Sequence, residues 1–242
     1  MLLKLRSFLF TAPMIVLATI VMGSLSLIAS LFDPTGRRMH ALARAWSRIL
    51  LVVSGVQVIA EGVGKLDPEK GYVLAVNHSS YMDIPVLLTH LPLQFRFFAK
   101  RGLFLIPFLG THLHRAGHVP VVRGDARASL KSMSEGARMI RERNLSMLLF
   151  PEGGRTVDHL SEFKEGPAYI AIKAGVPIVP IGLEGMRKIL RMHTSVIYPG
   201  TVHLRVGDPI DTSKLTLKDR ETLTRELYYR VADLCGESVA VH

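Results

Sequence analysis

A histidine and an aspartate five positions apart, His78 and Asp83, are the residues of this chain best suited to acid–base chemistry. They fall between two apolar runs. Residues 72–76 are typical of a buried strand, and residues 84–91 are typical of a helix. At such a junction the carboxylate can hold one imidazole nitrogen, and the other nitrogen stays free to accept a proton. The spacing also fits a carboxylate that only caps the helix.

A second polar segment follows another apolar strand, predicted at residues 146–150. It contains Glu152, Gly153, Gly154 and Arg155. Glycines permit a close backbone approach, and their N–H groups, together with a guanidinium, are typical of a phosphate-binding loop. Glu152 could bind a hydroxyl group or orient the arginine. The alternative is an ordinary polar turn with a surface ion pair.

Three further residues are candidates for substrate binding. Lys100 and Arg123 end predicted strands at 95–99 and 119–122, so they could add positive charge to the same sheet edge, or remain solvated surface cations. Pro180 lies in the run 176–181, which has two prolines. Proline is disfavoured in a central strand. The run therefore predicts an edge strand or a wall of the site, with a core strand as the alternative.

No metal or cofactor is expected. Cys235 is the single cysteine, which excludes an internal disulfide and a multi-cysteine metal site. The chain contains no Walker-type loop and no dinucleotide-binding fingerprint.

The segments that must position these residues alternate between strand and helix. Helical periodicity is present at 129–143 and again at 223–234. We therefore predict an α/β fold with a mostly parallel sheet flanked by helices. The predicted strands cover residues 72–76, 95–99, 119–122, 146–150, 178–183 and 202–206.

The N-terminal part is different in character. Residues 8–32 carry no charge, and as a helix they would exceed the roughly 30 Å hydrocarbon core of a bilayer. Residues 38–53 have the pattern of a basic amphipathic helix. These patterns predict a membrane-anchoring two-helix hairpin at residues 1–58 and a catalytic domain at residues 59–242.

Composition and charge favour a lipid partner. The chain is 48% hydrophobic and has a formal net charge of +10. A basic balance suits anionic partners, and the apolar excess favours membrane lipids over nucleic acid. Basic residues flank the apolar run on both sides, which fits either a spanning helix or a hairpin entering one leaflet. Both arrangements leave the remainder facing the cytoplasm, at the inner membrane of the cell.

Taken together, the motifs resemble the glycerolphosphate acyltransferase superfamily, and within it the 1-acyl-sn-glycerol-3-phosphate acyltransferases. Four blocks occur in the family order: N-H-x4-D from Asn77, G-x5-R ending at Arg123, F-P-E-G-x-R-T from Phe150, and V-P-x-x-P ending at Pro180. The similarity covers roughly residues 60–210. One departure is Gly154, which stands where the family pattern has threonine or serine.

The resemblance implies transfer of an acyl group from acyl-CoA or acyl-carrier protein to the sn-2 hydroxyl of lysophosphatidic acid, giving phosphatidic acid. His78 would be the general base and Asp83 its partner. Arg123, Arg155 and the backbone of Gly153 and Gly154 would hold the acceptor phosphate, and residues 103–109 would line an acyl tunnel. Two alternatives stay open: an acyltransferase for another lyso-lipid, such as lyso-ornithine lipid or a lysophospholipid, and a non-catalytic protein that binds acidic lipid or nucleic acid.

Overall fold

A computed structural model describes residues 1–122 and 124–237 of the chain. Within these residues the strands form one seven-stranded sheet. Five of the strands run parallel to one another, as predicted. The strands are β1 (Val56–Glu61), β2 (Val73–Val76), β3 (Phe95–Lys100), β4 (Val119–Val121), β5 (Ser146–Leu149), β6 (Ile178–Glu184) and β7 (Gly200–Val206).

The order of the strands is β1-β7-β6-β2-β5-β3-β4. β7 is antiparallel to β6, and β1 is parallel to β7, so these two strands run against the other five. β2 is an inner strand that pairs with β5 and β6, and all four of its residues are buried. Because β2, β3, β5 and β6 are parallel, their carboxyl ends lie at one edge of the sheet, where sites of α/β proteins form.

Helices cover both faces of the sheet. On one face the core contains buried residues of α3, α4 and α8, and on the other it contains residues of α6, α7 and α9. The helices are α1 (Leu2–Arg6), α2 (Ala12–Ala29), α3 (Arg37–Ser54), α4 (Asp83–His90), α5 (Leu109–Arg115), α6 (Ala126–Arg143), α7 (Gly166–Ala174), α8 (Met186–Ile189) and α9 (Arg220–Leu234).

The chain begins with one continuous helix, Leu2–Phe32, which we call the N-terminal helix. It joins α1 and α2 through a π-helical turn and ends in a 3₁₀ turn. In the described part of the chain it is the one helix long and apolar enough to cross a membrane. After a turn, α3 packs back along it, and Trp46 Nε1 donates a hydrogen bond of 3.0 Å to Thr19 Oγ1.

A buried guanidinium fastens this pair of helices to the sheet. Arg96 of β3 donates through Nη2 to the carbonyl of Thr35, in the turn before α3, at 2.9 Å. Burial lowers the pKa of Arg96 to about 10. In the same turn the Asp33 carboxylate accepts from the backbone N–H groups of Arg38 and Met39 and caps the first turn of α3.

Two details of the sheet differ from the sequence expectations. β1 was not predicted. It starts two residues after α3 ends and extends across the proposed boundary at residues 58 and 59, which itself stays a prediction. Pro180 lies in β6, an inner strand, so the edge-strand interpretation was wrong. The Ile178 N–H points to Ile210, and Pro180, two residues later, points the same way, where β7 has already ended. The Gly207 N–H still donates to the Pro180 carbonyl at 2.9 Å, so the proline leaves out only its own donor, at the end of this pairing.

Candidate active site

The loop between β2 and α4 carries the predicted base, and its first residue fixes where the loop begins. Asn77 Nδ2 donates to the Leu183 carbonyl at 2.9 Å, and Asn77 Oδ1 accepts from the Leu183 N–H at 2.7 Å. This side-chain amide continues the pairing of β2 with β6 by one more residue. The backbone directly before His78 is therefore fixed to β6 by these two hydrogen bonds.

His78 and Asp83 are in direct contact. His78 Nδ1 lies 2.7 Å from Asp83 Oδ2, and the same oxygen accepts from the backbone N–H groups of Ser79 and Ser80 at 2.9 Å each. The Asp83 side chain is fully buried, whereas the imidazole is 15% exposed. Among residues 1–122 and 124–237, no side chain or backbone group forms a hydrogen bond with His78 Nε2. The geometry unites both sequence interpretations of Asp83, since it organises the loop before α4 and also holds the imidazole.

The Glu152 carboxylate hydrogen-bonds to the backbone of the loop that contains His78. Its Oε1 accepts from the His78 backbone N–H at 2.6 Å, and its Oε2 accepts from the Ser161 N–H at 3.1 Å. Burial raises the pKa of this carboxyl, although the two backbone hydrogen bonds act against that shift. Both oxygens are thus already engaged by backbone. Contact of Glu152 with a substrate hydroxyl stays a prediction.

The ring of Phe150 covers one face of the imidazole. The two ring centroids lie 3.8 Å apart, and the planes are inclined by 15°. Phe150 opens the F-P-E-G-x-R-T block, and no role was predicted for its ring. Its position directly after a buried strand could have indicated that its ring lies at the sheet edge beside His78.

The guanidinium of Arg155 stacks on a tyrosine of the His78 loop. Its Cζ lies 3.4 Å from the centroid of the Tyr81 ring, within the range of a cation–π contact. The Thr156 N–H also donates to the His78 carbonyl at 2.9 Å. These two contacts connect the loop that contains His78 and Tyr81 with the loop that contains Arg155 and Thr156. Tyr81 is exposed and was not predicted as a site residue.

A lysine that the sequence analysis did not select lies over the glycine loop. Gly153 has φ +75°, and a Cβ built on it would lie 2.7 Å from Lys164 Nζ. Glycine therefore permits both the backbone conformation and the approach of the ammonium group. Gly154 follows in the same loop, half-buried. Lys100 ends β3 at the same edge of the sheet and is exposed.

The structure does not test the predicted substrate contacts of Arg123 and Pro180. Arg123 lies outside the described residues. Pro180 is buried within β6, where it is in register with Ala75 of β2. Ala75 itself lies five residues before Ser80, whose backbone N–H donates to Asp83. A substrate contact of Pro180 stays a prediction.

The described residues contain no group of three or more His, Cys, Asp or Glu side chains that could hold a metal ion. Cys235 is buried, and burial raises the pKa of its thiol to about 11, which disfavours a thiolate nucleophile. The contact of His78 with Asp83 is suited to general-base chemistry. The cations of the same sheet edge, Arg155, Lys164 and Lys100, are suited to binding an anion.

Comparison with known proteins agrees with this arrangement. The acyltransferase family model matches residues 54–184. The chain is 34% identical over 188 residues to the chloroplastic 1-acyl-sn-glycerol-3-phosphate acyltransferase LPAT1 of Arabidopsis thaliana, covering 76% of this chain and 52% of that protein. It is 33% identical over 191 residues to the chloroplastic 1-acyl-sn-glycerol-3-phosphate acyltransferase BAT2 of Brassica napus, covering 77% and 55%. The chain thus spans about half the length of these curated relatives.

The fold as a whole has a solved counterpart. The crystal structure of the 1-acyl-sn-glycerophosphate (LPA) acyltransferase PlsC from Thermotoga maritima superposes with a TM-score of 0.78. The superposition covers 98% of this chain and all of that chain, at 22% sequence identity. This likeness establishes the shared fold.

Proposed function

The chain belongs to the acyltransferase family, and we propose that it transfers a fatty acyl group to the sn-2 hydroxyl of lysophosphatidic acid, giving phosphatidic acid. The acyl donor is a thioester, either acyl-CoA or acyl-carrier protein. The names of the relatives support this acceptor. The reaction needs a base for a weakly acidic hydroxyl and a site for a phosphate monoester. His78 is the candidate for the first role, and the cations beside it are the candidates for the second.

The observation that carries the proposal is the hydrogen bond between His78 Nδ1 and Asp83 Oδ2. With Nδ1–H donating to the carboxylate, Nε2 is the nitrogen that accepts a proton. In the proposed step Nε2 takes the proton of the sn-2 hydroxyl as its oxygen attacks the thioester carbonyl. Asp83 stabilises the imidazolium that forms, and the thiolate leaves with the electron pair of the C–S bond.

The acceptor phosphate would lie against the cations beside this base. Arg155, Lys164 and Lys100 are the described candidates, with the backbone of Gly153 and Gly154, and Arg123 is a further candidate. A guanidinium can bind two phosphate oxygens at once, whereas an ammonium acts as a point charge. Arg155 is held by the ring of Tyr81 and is therefore the best-oriented of the described cations.

The enzyme would act at a membrane surface, since both the acceptor and the product are lipids. The N-terminal helix is the element that supports this location. We place the protein at the inner membrane of the cell, with the catalytic domain on the cytoplasmic side, because basic residues flank the apolar segment.

A panel of acceptors tests the proposal. The purified full chain in vesicles is supplied with acyl-CoA or acyl-carrier protein, and with lysophosphatidic acid, a lysophospholipid whose phosphate carries a headgroup, or monoacylglycerol. We expect efficient acylation of lysophosphatidic acid alone. Equal or faster acylation of a headgroup-bearing lysophospholipid or lyso-ornithine lipid would assign the chain to another acceptor within the family.

Changing Arg155 to alanine tests the phosphate contact in the same assay. A hydrogen bond to a charged group contributes about 1.5–3 kcal/mol, so the KM for lysophosphatidic acid should rise about 10- to 100-fold with little change in kcat. The matched control is Arg138→Ala, which removes an exposed arginine paired with Glu135 and Glu142 on α6. An unchanged KM in the Arg155 variant would exclude it as the anchor.

A further inference from the structure

An exposed apolar segment lies between β3 and α5, and we call residues 103–109 the apolar loop. Leu105 is 78% exposed, Ile106 46% and Phe108 43%. Phe104 points inward instead, is buried, and packs edge-on against the ring of His114. Soluble surfaces scatter such side chains singly, so several adjacent ones mark an interaction site.

The backbone of the loop is closely packed. The Gly110 N–H donates to the Ile106 carbonyl at 2.7 Å, and a Cβ on Gly110 would clash with the Phe104 carbonyl oxygen. Leu105, Ile106 and Phe108 belong to this packed segment, yet their side chains remain exposed.

The apolar loop adjoins the N-terminal helix. A Cβ on Gly23 would lie 2.6 Å from the Phe108 ring, so this ring rests on the helix backbone. One turn further along the helix, Ser26 Oγ lies 3.1 Å from His112 Nδ1 of α5. On the helix side, Ile20 lies three residues before Gly23 and is 57% exposed. The exposed apolar faces of the loop and the helix thus meet at Gly23 and form one surface.

Positive charge borders this surface. Lys100 and Arg101 lie before the loop, separated from it by Gly102, and Arg115 ends α5. All three are exposed, and none forms an ion pair with any residue in the described ranges. An apolar surface beside unpaired cations matches the boundary between acyl chains and anionic headgroups.

We propose that the apolar loop is a second lipid-contacting element: Leu105, Ile106 and Phe108 insert among the acyl chains of a bilayer that contains anionic lipid, beside the N-terminal helix. Arg101 lies at the headgroup level. The loop then fixes the rotation of the domain on the membrane, which a single helix cannot do. This inference goes beyond the proposed function and does not depend on acyl transfer.

Fluorescence quenching by lipid measures the insertion directly. Trp46, the single tryptophan, is replaced by phenylalanine, and one new tryptophan is introduced as Leu105→Trp or, independently, Ile106→Trp. The full chain is reconstituted in vesicles that contain lipids brominated along their acyl chains. Insertion 5–10 Å into the interface should reduce the fluorescence at both positions by roughly two-fold. The matched control is Leu217→Trp, an exposed leucine before α9, whose fluorescence should stay unchanged.

The same measurement distinguishes contact with a bilayer from contact with a single bound acyl chain. Quenching at residues 105 and 106 no stronger than at residue 217 would overturn the proposal. Quenching by one bound brominated fatty acid without vesicles, and none by brominated vesicles, would show a tunnel lining instead. Replacing phosphatidylcholine by a mixture with phosphatidylglycerol should strengthen the quenching, and Arg101→Gln should remove that gain. Identical quenching in both lipids would overturn the headgroup contact. Since no step requires turnover, failure here leaves the proposed function standing.

Discussion

Asp83→Asn isolates the charge of the carboxylate that holds His78. Asp83 Oδ1 is buried and has no hydrogen-bond partner among the described residues, whereas Oδ2 accepts from three donors. The asparagine amide nitrogen can therefore occupy the Oδ1 position, and the oxygen can keep the same three donors. The substitution removes a charge and preserves the shape of the loop.

The expected magnitude follows from the distance. With Nδ1 and Oδ2 2.7 Å apart, the centres of the imidazolium and carboxylate charges are separated by about 4 Å. At an effective dielectric constant near 20, two unit charges at that distance attract by about 4 kcal/mol. The imidazolium forms only as the proton is transferred, so this attraction is lost mainly from the transition state. We expect kcat to fall by about 10³-fold, with a smaller change in the KM for the acceptor.

The assay is thiol release from acyl-CoA at saturating lysophosphatidic acid, with circular dichroism to verify folding. The control is Asp208→Asn, because Asp208 forms an exposed ion pair with Lys65 and such pairs contribute little. The Asp208 variant should keep wild-type turnover. If the folded Asp83 variant turned over within about ten-fold of wild type, the electrostatic reasoning would be wrong and Asp83 would only cap the loop.

Two further predictions concern the contact of Tyr81 with Arg155 and the burial of His40 in α3. Tyr81→Leu should raise the acceptor KM about 3- to 10-fold by releasing Arg155, whereas Tyr81→Phe should keep the wild-type KM; equal effects of both variants would contradict a cation–π contact. Partial burial and the charge of Arg96 lower the pKa of His40 to about 3, so the folded state stays neutral there while the unfolded state binds a proton below about pH 6.5. The free energy of unfolding should therefore lose about 1.4 kcal/mol for each pH unit below 6.5, down to about pH 3, in addition to the contribution of the buried His118, whose pKa is lowered in the same direction. His40→Leu should reduce the total slope by that amount in urea titrations, and an unchanged slope in the variant would contradict the assignment.

Local patterns were sufficient to predict much of the fold. The buried runs at β2 and β5 and the periodic helices α6 and α9 depend on residues close in sequence, so their positions were predicted to within a few residues. β1 was missed although Gly55, with φ +71°, ends α3 directly before it. The glycine indicates where the helix ends, but the strand depends on pairing with β7, far away in the chain. The reversed direction of β1 and β7 depends on long-range pairing, which no local pattern shows.

The geometry around His78 was predictable only in part. The contact of His78 with Asp83 follows from their spacing across a strand-to-helix junction. The role of Glu152 does not, because its partners are backbone N–H groups of His78 and Ser161, which the sequence cannot mark. The position of Phe150 after a buried strand indicated the edge of the sheet, but its stacking on the imidazole joins residues 72 positions apart and depends on which strands become neighbours.

In the proposed mechanism the imidazole of His78 removes the proton of the acceptor hydroxyl. The most direct measurement is single-turnover acyl transfer to lysophosphatidic acid by the folded His78→Ala variant, with both substrates bound. We expect the rate constant to be about 10²–10⁴-fold below wild type, while the dissociation constant for the acceptor stays similar. A rate constant near that of wild type in this folded variant would contradict the mechanism.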